Sequence, residues 1–423
     1  MKNIRRTLLL VVLINGLWAT AQDINSPYSN FGVGNLYPGK TSINAAMGGI
    51  GIGWQGNSFI NILNPASYGF FDSTSFLLQG GILADVVQTH SEDLSITSRN
   101  VQLGYMLFGF PITRWMKASI GLMPYSRVGY LIYNDYFQDS IGRITNEYEA
   151  SGGLNRAHFG LAVRPLKNLS VGVNANFLFG DLDYQQIVDF PDSAFIYSFR
   201  VIANRFVQDF MFEIGAQYAA SLSPSLRLTT GLVYELPASL NTKRYLLAET
   251  FVPALNNIDN IYDTIAYQPD QKGTIELPRA VGGGFTLENP NRWTAGVDFY
   301  WQEWAAFRSF SMNDSLDNSL RIAAGGQFRP SVAATANYAQ KIQYRLGAHY
   351  NKTSLKLRGT QINEFGLTFG AGLPLKSTQS MINLAVEIGQ RGTTSNGLLK
   401  ENYVRLSIGL SLYERWFIRS KFY

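Results

Sequence analysis

Cysteine is absent from the chain. That removes disulfides, thiolate metal sites, cysteine nucleophiles and lipoprotein anchoring at one stroke. Histidine is almost absent too: His90, His158 and His349 are the only three among 423 residues, which argues against a multi-histidine metal site. Charge is scarce at 15%, against roughly a quarter in an average soluble protein. The net charge of +5 is diffuse, and no basic run carries interleaved aromatics, so nucleic acid is not an expected partner. Past the N-terminus there is no stretch of about 20 apolar residues of the kind that spans a membrane as a helix. Nucleophile elbow, phosphate loop and paired-histidine helix are all missing. Gly282-Gly283-Gly284 sits inside a strand pattern with no helix after it, so it reads as close packing rather than a phosphate cradle. The expectation is no enzyme and no cofactor.

What is present points elsewhere. Aromatics reach 13%, there are 40 glycines, and hydropathy is near neutral. A membrane barrel averages out this way, because lipid-facing and lumen-facing residues alternate along each strand. The last strand makes the case. Val404, Leu406, Ile408, Leu410 and Leu412 share one face, while Tyr403, Arg405, Ser407, Gly409 and Ser411 share the other. Aromatic residues follow at Trp416, Phe417, Phe422 and Tyr423.

Three regions divide the chain. Residues 1–21 read as a secretory signal peptide: Lys2, Arg5 and Arg6 lead a short apolar run that ends in Ala19-Thr20-Ala21. Residues 22–72 are glycine-rich and not strand-like. Their apolar residues, among them Phe31, Met47, Ile50 and Phe59, call for cover, which predicts a hatch that plugs the lumen. Residues 73–423 carry about fourteen amphipathic segments, an even number as single-chain bacterial barrels require. Tight turns such as Leu166-Lys167-Asn168 and Leu222-Ser223-Pro224 alternate with longer segments near 134–150, 181–205, 236–276, 303–317 and 351–362. That rhythm predicts short periplasmic turns and long outer loops. The predicted fold is an all-β, transmembrane antiparallel barrel of about 14 strands with an N-terminal hatch in its lumen, in the outer membrane of a Gram-negative bacterium.

By register, Arg164, Glu213, Arg227, Asp298, Arg321, Arg345, Glu387 and Arg405 face the lumen, where they tie the hatch to the wall or receive a carboxylate. Met106 and Phe108 also fall on the inward face, which calls for packing either by the hatch or by a hydrophobic ligand. In the third segment Pro124 cannot donate to a ladder, so Met123-Pro124-Tyr125 is read as an inward kink that opens a side gap.

With these features in place, the chain resembles the FadL/TodX family of outer-membrane channels, in a divergent branch. Asn64-Pro65-Ala66 matches the asparagine-proline-alanine motif of that family's hatch, the strand count matches, and Pro124 falls where the family has a kinked strand. The segments Ser26-Pro27-Tyr28-Ser29 and Gln361-Ile362-Asn363-Glu364-Phe365-Gly366 carry the resemblance to the divergent branch. The resemblance implies passive uptake of hydrophobic, fatty-acid-like molecules with lateral exit into membrane lipid. Some FadL-like barrels are similar instead to subunits of outer-membrane protein assembly or type IX secretion complexes. That similarity implies a structural role with other envelope proteins as partners. The apolar residues of 236–276 would then cap a pocket or bind a partner.

Overall fold

The computed structural model describes residues 26–37, 39–193, 195–253, 259–290, 292–333, 335–375 and 379–415. The expected signal peptide, residues 22–25 and the terminal aromatics lie outside them.

Fourteen strands close one antiparallel barrel. They are β1 Ser75–His90, β2 Ser95–Pro111, β3 Met116–Pro124, β4 Gly142–Leu166 and β5 Leu169–Asp189. Next come β6 Ser198–Ser223, β7 Leu226–Glu235, β8 Ala280–Asn289, β9 Trp293–Gln302 and β10 Ser319–Phe328. The ring ends with β11 Gln343–Leu357, β12 Thr360–Pro374, β13 Met381–Gly392 and β14 Lys400–Arg415. β14 pairs with β13 on one side and with β1 on the other, which shuts the ring. Its alternation reads through into burial: Val404, Ile408 and Leu410 are exposed to the outside, while Tyr403, Ser407 and Ser411 are buried inside. Ring closure pairs the spanning strands with neighbours on both sides, as the hydrocarbon layer demands, except along one stretch of β2.

Register breaks in β2 and corrects one expectation. Gly81 pairs with Tyr105 but Ile82 pairs with Leu103, so Gly104 is an extra residue, a β-bulge. Beyond it every side chain changes face. Val101 and Leu103 point outward, but Tyr105 and Leu107 turn inward and are fully buried. Met106 is exposed on the outer face and Phe108 shares that face, so neither lines the lumen.

Four of the predicted outer loops are largely strand: 134–150 falls in Tyr130–Gln138 and the start of β4, and 181–205 in the outer ends of β5 and β6. Within 236–276, Ala238–Val252 pairs with Asn260–Leu277 beyond the lipid-facing band, on top of β6. Residues 351–362 are the tip of the β11–β12 hairpin, turned by Arg358 and Gly359 with φ of 50° and 78°. Two successive positive φ values mark the tight turn that suits strand twist.

Residues 26–72 run inside the wall. Their apolar side chains pack on inward wall residues: Met47, Ile50, Trp54 and Phe59 group with Ala323, and Ile60, Tyr68 and Phe71 group with Leu77, Tyr105 and Leu107. Polar ties are as dense. The Asp298 carboxylate accepts from the backbone N–H groups of Gly51 (2.6 Å) and Ile52 (2.8 Å). Arg321 donates to Gly48 O (2.6 Å), and Gly48 N–H donates to Thr368 Oγ1 (2.8 Å). Asn64 caps the short helix Pro65–Phe70 by accepting from Ala66 N–H, and its amide donates to Ile52 O (2.9 Å), Ala216 O and Leu232 O (both 3.2 Å). One side chain thus stitches the inner segment to itself and to β6 and β7. Asn64→Ala leaves buried acceptors without a donor and removes the cap, and should cost about 2–3 kcal/mol. Urea unfolding in detergent micelles would register the loss.

Candidate functional site

The wall is incomplete in one place. β2 pairs with β3 only from Met106 to Pro111, opposite Leu122 to Lys117. Above that, from Ser95 to Tyr105, no described strand lies along this edge of β2. The reason is local. Tyr125 N–H donates to Leu154 O of β4, so by alternation residue 124 directs its backbone toward β2. Proline at 124 has no hydrogen to give there, and its opposite number is the bulged Gly104. The chain then leaves the wall. Ser126–Arg127 pairs with Asn35–Leu36 of the inner segment, and the wall line resumes as Tyr130–Gln138, whose one strand partner among the described residues is β4. Met123 and Tyr125 are both buried beside this departure. Gly152, Gly153 and Gly180 make room for it: all three have φ between 100° and 154°, and a Cβ on Gly153 would strike Ser126 O. The proline was legible in the sequence. The glycines were not connected to it, although Ser151-Gly152-Gly153 inside a strand is a recognisable bulge signal.

A cavity of 280 Å³ lies behind this seam. Leu83, Gly104, Met123 and Pro124 line it at the seam, and Trp304 and Leu316 line it under the outer segments. Charged groups line it too, beginning with Asp85, two residues from Leu83 on β1. Arg405 donates to Glu387 (3.0 Å) and Glu364 (3.3 Å), lies 3.7 Å from Asp85, and stacks on the Tyr403 ring at 4.0 Å. Arg391 pairs with Glu401 at 2.6 Å and donates to Asn35 and Ser26 of the inner segment, each at 2.9 Å. His349, Glu364 and Glu387 converge closely enough to suggest a cation site, but the Arg405 guanidinium already holds both carboxylates.

The predicted residues therefore separate into groups. Arg405 and Glu387 meet at the cavity, and Met123 and Pro124 border it. Arg345 is buried elsewhere, bonded to Asn383 (2.8 Å) and Gln343 (2.7 Å). Asn64, Pro65 and Ala66 sit toward the end with the tight turns, packed on β5 through Gly172 and Ser170. Met106 and Phe108 are outside.

Lys40 is a cavity residue that pattern reading passed over. It lies in the inner segment, outside the spanning strands, and lines the cavity beside Arg321. Burial, then the Arg321 charge, pushes its amine down to about 7 from an ordinary 10.5. Below pH 7 the amine is charged in the folded and unfolded chain alike. Between about 7 and 10.5 the unfolded chain keeps the proton and the folded one does not, so stability rises with pH across that window. Lys40→Met should remove this rise and stabilise the protein near neutrality. Unfolding midpoints from pH 6 to 10 for the two proteins would show whether the curves differ as stated.

A family model described as BamG matches residues 3–423. The chain belongs to the BamG family. No curated protein matches it. Among solved structures, the Pseudomonas putida toluene transporter TodX is similar at a TM-score of 0.57 and 16% identity, over 92% of this chain and 100% of that one. The Ralstonia pickettii toluene transporter TbuX gives 0.56 and 14%, over 92% and 99%. A Pseudomonas aeruginosa FadL homologue gives 0.56 and 12%, over 90% and 99%. At these identities the likeness is one of fold, and it agrees with the resemblance to a divergent FadL-like branch read from the sequence. This BamG-family chain is an outer-membrane β-barrel protein of the Gram-negative envelope.

Proposed function

We propose that this BamG-family barrel is a passive channel that takes up hydrophobic, fatty-acid-like molecules and releases them sideways into the membrane. One observation carries the reading: the lining of the 280 Å³ cavity continues to Gly104 and Pro124, where β2 has no partner strand. A molecule entering past the outer segments meets Trp304 and Leu316 first, and Leu83 and Met123 at the seam. The inner segment acts as the plug. Its ties to Asp298, Arg321 and Thr368 oppose passage straight through the lumen, which leaves the seam as the way out. The toluene transporters of like fold support a hydrophobic substrate.

The BamG match supports a second reading, a structural barrel within a larger envelope assembly. Purification from outer membranes in mild detergent, without cross-linking, separates the two. The channel reading expects a lone barrel with co-extracted lipid or hydrophobic ligand. A stoichiometric complex with an empty cavity would replace it with the second.

A further inference from the structure

On the lipid-facing side of the wall, at the end with the tight turns, aromatic residues form a row. Trp293 of β9 pairs with Phe328 of β10, and Phe328 pairs with Tyr344 of β11, so the three stand side by side on the outward face. The Tyr344 hydroxyl donates to Ala339 O (3.1 Å), which fixes the end of the row. In outer-membrane barrels such girdles sit at the level of the lipid headgroups. Two arginines lie just beyond this one. Arg292 precedes Trp293 and Arg329 follows Phe328, and the Arg329 backbone N–H donates to Arg292 O (2.7 Å), which holds the two residues together.

Neither guanidinium has a carboxylate. No ion pair among the described residues includes Arg292 or Arg329, and Glu288, the nearest acid in the chain, is held by Arg227. Arg329 Nε is buried and makes no hydrogen bond among the described residues. A cationic donor left this way is costly unless an acceptor reaches it. The stretches 289–293 and 328–344 contain Arg292, Arg329 and Lys341 and no aspartate or glutamate.

The wall beneath the arginines is shaped as well. One step toward the bilayer centre, Ala295 and Gly326 lie between Leu287 and Leu346. One step further, Ala324 and Ala348 lie between Val297 and Leu367. Phe299, Ile322 and Tyr350 close the far end. The outward face therefore has a shallow trough of small residues that starts below the arginine pair.

We propose that this corner binds one anionic phospholipid of the periplasmic leaflet, with its phosphate on Arg292 and Arg329 and an acyl chain along the trough. The tight turns give the leaflet, because they face the periplasm in outer-membrane barrels. Arginine forks match phosphate oxygens. A zwitterionic headgroup is disfavoured, because its ammonium meets cations and no carboxylate. An acidic protein would meet the arginines but has no use for a lipid-facing trough. The site is on the outside of the wall and stands whether or not the lumen carries a ligand.

The test titrates the full chain in mild detergent with dimyristoyl phosphatidylglycerol or dimyristoyl phosphatidylcholine and counts bound lipid by native mass spectrometry. One phosphatidylglycerol should be retained about tenfold more tightly than phosphatidylcholine, within reach of two arginines beside an anionic headgroup. Arg292→Gln combined with Arg329→Gln should lower it to the phosphatidylcholine level. Ala324→Phe fills the trough, leaves both arginines, and should weaken retention too. Arg114→Gln, at the β2–β3 turn, should leave it unchanged. Heat-modifiable migration confirms that each variant folds. Equal retention of the two lipids, or undiminished retention in the double variant, overturns the proposal. So does an equal loss in Arg114→Gln, which marks diffuse attraction to basic turns. Displacement of the lipid by a poly-glutamate peptide, with Ala324→Phe having no effect, assigns the arginines to an acidic protein instead.

Discussion

Gly347→Val is expected to dislodge the inner segment from a barrel that still closes. Gly347 faces inward on β11, paired with Gly325 of β10 and Thr368 of β12. A Cβ there would overlap Met47 C and Gly48 N and lie 2.8 Å from Met47 O. These are backbone atoms in a fixed place. Gly48 and Gly49 have φ of 70° and 82°, and Gly48 is bonded on both sides, to Thr368 and Arg321. A flexible side chain could step aside, but this turn has nowhere to go. Overpacking costs about 1–3 kcal/mol where side chains can adjust, and the cost against a pinned backbone should sit at or above the top of that range. The wall has independent support from its ladders, so loss falls on the inner segment. On the reading that residues 26–72 plug the lumen, single-channel conductance in planar bilayers should rise sharply, and added protease should cut the segment first. A variant that stays closed, protease-resistant and as stable as the parent would mean that close packing at Gly347 does not hold the plug.

The wall was legible because its physics is local. Lipid on one side and a polar lumen on the other impose a period of two, and β14 shows it without interruption from Tyr403 to Leu412. All fourteen segments found by that period are strands of the ring. What failed was whatever breaks the period by one residue. The Gly104 bulge inverts β2, so the inward face expected for Met106 and Phe108 belongs to Tyr105 and Leu107. No alternation within β2 could reveal this, because both halves alternate correctly on their own. The strand pair within 238–277 was hidden for a different reason. Its base is sorted, with Leu240, Ile275 and Leu277 buried against Leu178, Leu182 and Val207, but further out Asn260 to Tyr267 is exposed on both faces and its apolar residues look like those of a loop.

At the cavity, lone residues were readable and their company was not. Arg405 and Glu387 share the inward face of neighbouring strands, so register alone brings them together. Lys40 reaches the same cavity from the inner segment, whose path has no periodicity to extrapolate. The coupling of Asn35–Leu36 to Ser126–Arg127 is similarly invisible, since two-residue strands carry no pattern. Yet that pairing ties the seam to the inner segment. The stretch missing from the wall is the stretch that the inner segment holds.

Pro124→Val should therefore act on the seam and little else. Valine restores a backbone donor at the position directed toward β2, where Gly104 offers the next rung above the Met106–Leu122 pair. Valine also favours strand geometry, whereas proline fixes φ and excludes the bond. Asn155 already pairs with residue 124 on the β4 side, so the change leaves that ladder intact. The expected result is a wall zipped at least one rung higher and a narrower mouth at Leu83, Gly104 and Met123. One added backbone bond is worth about 1 kcal/mol, so stability should be unchanged or slightly higher. Uptake of a hydrophobic fluorescent probe into liposomes carrying the variant should slow by about tenfold, the factor that 1.4 kcal/mol of added barrier produces. The paired measurement decides the meaning. Slower uptake with normal heat-modifiable migration supports exit through the seam. Unchanged uptake in a correctly folded variant rules the seam out as the exit and moves the weight to the structural reading.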